Sequence, residues 1–113
     1  GKKSWPFHNH HVSEEMFLIL EGTGILRHGD NKFPIKKNDI IACPTGDRSV
    51  AHQIINDGET DLKYLALGTK KPYDICEYPD SDKILSRVTS EDDSNLWNMS
   101  KGNESYDYFE GEE

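Results

Sequence analysis

Residues 6–22, PFHNHHVSEEMFLILEG, decide how the rest of this chain is read. His8 and His10 stand two apart, Glu15 follows, and an unbroken apolar run, Met16-Phe17-Leu18-Ile19-Leu20, is closed by Glu21-Gly22. In an extended segment, side chains at i and i+2 share a face, so the two imidazoles can lie side by side. A turn at Val12-Ser13 would bring Glu15 to the same point from the head of the next strand. Two neutral imidazoles and a carboxylate converging on one point make a divalent-metal site that lacks a fourth ligand.

The fourth candidate is His52. Residues 38–46, NDIIACPTG, read as a turn, a short apolar strand and a Pro-x-Gly turn, and residues 51–56, AHQIIN, as the next short strand. Together these pieces resemble the two motifs of the cupin superfamily. The first (His-x-His, four residues, Glu, six residues, Gly) is met by His8, His10, Glu15 and Gly22. The second (Gly, five residues, Pro-x-Gly, two or more residues, His, three residues, Asn) is met by Pro44, Gly46, His52 and Asn56. Asn38 stands where that motif opens with Gly, but Asn tolerates positive φ, so the turn should survive. Five residues separate Gly46 from His52, which lengthens a loop. The resemblance covers residues 4–69. It implies an all-β fold, a cupin-type double-stranded β-helix (jelly-roll) barrel. It also implies one divalent ion (Zn, Fe, Mn, Ni, Co or Cu) on His8, His10, Glu15 and His52.

Bulk properties narrow the partners. The chain has 113 residues, enough for one domain. With 13 Lys+Arg against 21 Asp+Glu it carries a net charge of −8, which argues against a nucleic-acid partner. No apolar run approaches the roughly 20 residues of a membrane span, and no export signal is visible. Cys43 and Cys76 make no disulfide framework; the simplest expectation is a reduced, cytoplasmic protein with Cys43 as a small buried hydrophobe.

Read in order, the chain gives short strands punctuated by turns, as in a barrel or sandwich. Glu15, Phe17 and Ile19 should face the interior, while Met16, Leu18 and Leu20 point outward. A strand apolar at every position should be buried on both faces. Few residues precede the first ligand, so the opening strands of the barrel are expected to be absent from this stretch or supplied from elsewhere. Both features predict a homodimer covering the outward face or the N-terminal edge. Pro34 confines residues 32–36 to an edge. Residues 1–69 are expected to be the barrel core, with 70–113 an irregular C-terminal extension packing back on it through Trp97, Tyr108 and Phe109. Residues 89–103 are the expected mobile connection.

Three neutral imidazoles and one carboxylate would leave a divalent ion with open positions for water or an oxygen-rich small molecule. Phe17, Ile19, Arg48, Asn56 and Tyr64 are the candidate ligand-lining residues. For Arg48 a surface salt bridge, and for Asn56 a structural hydrogen bond, are the stronger readings. His11, between the ligands in sequence, should point away from them, and Glu14 outward. The motifs place no further His, Asp or Glu in the interior as a general base, so no catalytic residue is singled out. The expected function is a metal-dependent enzyme, of isomerase, dioxygenase or decarboxylase type, acting on a sugar-phosphate-like or carboxylate metabolite. The alternative is a metal-containing binding or sensing module without turnover. A purely structural protein is the least favoured reading, because the ligand set is intact. Similar compact cupins are often labelled sugar-phosphate isomerases, and fold alone does not settle chemistry.

Overall fold

The computed structural model describes residues 2–89 and 95–113. The strands are β1 (Lys2–Lys3), β2 (Asn9–His10), β3 (Glu15–Glu21), β4 (Thr23–His28), β5 (Asn31–Lys36), β6 (Ile40–Cys43), β7 (His52–Asn56), β8 (Lys63–Gly68), β9 (Tyr73–Tyr78), β10 (Lys83–Val88) and β11 (Leu96–Lys101). A 3-10 turn at Arg48–Val50 fills the lengthened loop before His52. The sheets run β1-β7-β4-β5, β6-β3-β8 and β11-β10-β9-β2, all with antiparallel neighbours. A single bridge between His8 and His52 links the approach to β2 with β7. This is the all-β, jelly-roll class expected from the motifs.

The core forms where inward faces meet. Phe17 and Ile19 of β3 pack with Leu26, Ile35, Ile41, Cys43 and Ile54, and Trp5, Leu62 and Tyr64 close over them. Phe17 and Ile19 are essentially inaccessible, which contributes about 1.5–3 kcal/mol each. Outward, Met16 and Leu20 are 40% and 48% exposed, so β3 is buried on one face only. The registers place Ile40, Leu65 and Leu67 on that same outer face, all exposed. Gly22 and Asn38 are two of the turn positions with positive φ. Gly22 has φ +89°, and a Cβ there would lie 2.3 Å from the Asp61 carbonyl oxygen. Asn38 has φ +75°, doing the work of the motif glycine. Pro34 lies on β5, an edge strand.

Beyond residue 69 the structure corrects the sequence reading. The segment is not irregular: β9, β10 and β11 form a meander that continues through β9 onto β2. Tyr73 and Ile75 are exposed while Asp74 and Cys76 are buried, a period-2 pattern disguised by an aspartate at an inward position. Of the expected mobile connection, residues 90–94 lie outside the described residues, and residues 96–101 are strand. The aromatic tail does not pack back either. Trp97, Tyr108 and Phe109 are exposed, and Tyr108 meets Phe109 edge-on at 5.0 Å instead.

Candidate metal centre

Three backbone segments deliver the four ligand-type side chains. β2 and the residues before it present His8 and His10 on one face, β3 opens with Glu15, and β7 opens with His52. The two ends of this arrangement are held together by reciprocal backbone bonds between His8 and His52, at 3.2 and 2.8 Å. The side chains then meet on one carboxylate oxygen. Glu15 Oε1 lies 3.2 Å from His8 Nε2 and 3.5 Å from His52 Nε2, and it also contacts His10 Nε2. His8 and His10 bring their Nε2 atoms to 3.1 Å of each other. All ligand atoms of His8, His10 and Glu15 fall within 4.8 Å of one another.

The donor set suits a divalent cation. His8 donates Nδ1–H to the Pro6 carbonyl at 2.9 Å, which leaves Nε2 with its lone pair turned to the centre. His52 is 2% exposed, and neither of its ring nitrogens has a hydrogen-bond partner among the described residues. A buried imidazole without partners is costly unless something accepts its lone pair. The electrostatics agree. Burial opposes the charge on Glu15, but the nearby imidazoles of His10, His52 and His8 hold it well below the usual carboxylate range. Burial likewise opposes a proton on His10, yet bonds to Cys76, Glu15 and Asp74 raise its pKa to about 11. Solvent reaches the centre on the side of His10 and Glu15, the less buried pair.

Around the centre, Phe17 lies beside His52 (ring centroids 6.0 Å) and stacks on Trp5 at 5.4 Å. Tyr78 stacks on His8 at 6.1 Å. Cys43, across β3 from Glu15, has its thiol pushed up to about 12 by burial and by the Glu15 charge, so it is held as a neutral thiol. On the far side of His10, Asp74 Oδ2 lies 2.8 Å and Cys76 Sγ 3.2 Å from Nδ1. Asp74, Cys76, Tyr78 and Trp5 were all missed by sequence reasoning. Three of them come from β9, whose strand signal was hidden.

Of the expected lining residues, only Phe17 reaches the centre. Ile19 is buried one step deeper in the core. Arg48 is engaged by Glu77 at 2.6 Å and Asp82 at 2.7 Å. Asn56 lies four residues along β7 from His52, about 13 Å away, where it bonds Thr60 O and Gly58 N. Tyr64 packs on Trp5 and Phe17 but turns its hydroxyl to Ser4 Oγ at 2.6 Å. Asn56 and Tyr64 together line a separate cleft of about 330 Å³ with Lys3, Ser4 and Lys63. His11 points away from the ligands, to Glu77. No helix among the described residues is long and apolar enough to cross a membrane.

Comparison with known proteins extends these observations. A family described as "Cupin domain" matches residues 1–68. An uncharacterised protein of Methanocaldococcus jannaschii is 38% identical over 64% of this chain and 48% of its own length. The oxalate-binding protein of Thermotoga maritima is 35% identical over 53% of this chain and 47% of its own. Among solved structures, a provisionally named sugar phosphate isomerase of Acidithiobacillus ferrooxidans superposes with TM-score 0.82 at 32% identity, covering 94% of this chain and 64% of that one. A sugar phosphate isomerase of the cupin superfamily from Silicibacter pomeroyi gives 0.81 at 26% identity, over 93% and 63%. The chain thus spans about half the length of the curated relatives and under two thirds of these structural ones.

Proposed function

Because this chain belongs to the cupin superfamily, we propose that His8, His10, Glu15 and His52 hold one divalent cation at which a small oxygen-rich metabolite is bound and converted. The observation that carries this reading is the convergence of three Nε2 atoms on Glu15 Oε1, with His52 buried and otherwise without a partner. A bound cation would supply Lewis acidity to a carbonyl or carboxylate oxygen. The chain's own residues do the rest. Glu15 cancels one unit of positive charge, the three rings fix direction, and Phe17, Trp5 and Tyr78 wall the inner side with aromatic surface. A pair of neighbouring oxygens, as in a hydroxy-carbonyl or a dicarboxylate, matches a centre open on one side. Relatives named for sugar phosphate and for oxalate support that ligand class.

The second reading, binding without turnover, is favoured by one observation. The imidazoles and carboxylates of the centre, Asp74 included, already contact one another, so among the described residues no free general base stands beside it. The deciding experiment loads tag-free protein with Zn, Mn, Fe, Ni, Co or Cu and measures stoichiometry. Sugar phosphates and oxalate are then titrated, with enolisation, O2 uptake and CO2 release followed. Metal at one equivalent with turnover supports the enzyme, and metal with binding alone supports the module. No uptake removes both. We further propose that two copies associate through the outer face of β6-β3-β8, where the apolar run leaves exposed side chains that solvent rarely tolerates as one patch.

A further inference from the structure

We infer that Asp74 is a positioning residue of the metal centre, fixing the ring of His10 and therefore the nitrogen that faces the cation. The inference rests on the proposed metal site and goes beyond it, because Asp74 lies outside the matched residues 1–68. The carboxylate is 2% exposed, and buried charge persists only where it is paired and hydrogen-bonded. Its oxygens are divided between two tasks. Oδ1 accepts from the Val12 and Ile75 backbone N–H groups at 3.1 and 2.8 Å. Oδ2 accepts from His10 Nδ1 at 2.8 Å and from Ser13 N at 3.4 Å. Held by the backbone on one side, the group cannot turn away from the ring on the other. Once a cation takes the place of the Nε2 proton, the proton kept on Nδ1 leaves Nε2, the atom beside Glu15, as the ligating nitrogen.

The three rings are held by different devices. His8 donates to a backbone carbonyl, His10 to a buried carboxylate, and His52 to nothing among the described residues. The carboxylate, like the Cys76 Sγ that lies 3.2 Å from the same nitrogen, comes from the C-terminal sheet, through the pairing of His10 with Cys76 across β2 and β9. The simpler alternative is that Asp74 merely caps the 11–14 turn through its backbone contacts.

Asp74→Asn separates the two. An amide has one acceptor oxygen. If that oxygen keeps the two short backbone bonds at the Oδ1 position, the NH2 group faces Nδ1 and forces the proton onto Nε2, the wrong tautomer for a ligand. Co2+ is the probe, with its affinity read by titration of visible absorbance and the ring N–H protons by hyperfine-shifted proton NMR. The wild type should show slowly exchanging ring N–H signals from His8 and His10, beside that of the buried His52. Asp74→Asn should lose the His10 signal, keep the His8 signal, and bind Co2+ about 10–100-fold more weakly. Unmoved His8 and His10 signals with unchanged affinity would reduce Asp74 to a turn cap. Joint loss of both would mean general disordering and would overturn the inference as well. Failure of the wild type to take up Co2+ would remove the metal site itself, and this role with it.

Discussion

His52 and His11 make opposite demands on substitution. His52 comes from a different strand than the other candidate ligands and is buried, with no hydrogen-bond partner for its ring nitrogens among the described residues. His52→Ala should abolish tight metal binding, and with it about 2.7 kcal/mol of linked stability at metal one hundredfold above Kd. His11→Ala should leave affinity nearly unchanged, since that ring pairs with Glu77. Calorimetric titration of both variants checks this, and equal losses would refute it. A second expectation concerns protons. With the His10 pKa raised to about 11, the ring is protonated at neutral pH, and a cation on Nε2 must displace that proton. Metal uptake at pH 7 should release about one proton from His10, and affinity should rise with pH; titration enthalpies in buffers of different ionisation heat measure it. At Asn38, where φ is +75°, Asn38→Ala should cost about 1 kcal/mol while Asn38→Gly stays near neutral, as urea unfolding would register.

Among elements, the junction between β9 and the 45–50 loop is clamped by Glu77. Its carboxylate meets Arg48 at 2.6 Å and Asn9 at 3.3 Å, and pairs with His11. Burial alone would raise its pKa, but these bonds pull it below the ordinary glutamate value. A depressed folded-state pKa gives stability that is present above the unfolded value, about 4.3, and is lost as pH falls through the folded one. The clamp should therefore loosen on acidification below about pH 4, and Glu77→Gln should flatten that part of the stability profile. Amide exchange of β9 as a function of pH reads this out. Unchanged acid sensitivity in Glu77→Gln would assign it to another carboxylate.

For the molecule as a whole, the open question is what lies against the outer face of β6-β3-β8. Ile40 is 68% exposed there, beside Met16, Leu20, Leu65 and Leu67. We expect a dimer by sedimentation velocity at micromolar concentration, converted to monomer by Leu67→Glu with the metal site intact. A monomeric wild type would end the proposal.

The amino-acid sequence by itself determined the residues that gather. A period of two on β3 sends Glu15, Phe17 and Ile19 inward together, and His-x-His on an extended segment needs no tertiary information to share a face. The turn tolerance of Asn38 and the edge position of Pro34 were legible for the same reason, because both follow from local backbone chemistry. Only the tertiary structure decided what stands behind those residues. Asp74 is 64 residues from His10, and in sequence a buried aspartate looks like a break in a strand. Asn56 belongs to the motif and yet sits a strand's length from the centre, since spacing specifies a face but not a depth. Exposure of the tail aromatics was equally invisible, because hydrophobicity states a preference for burial and says nothing of whether a surface is there to receive it.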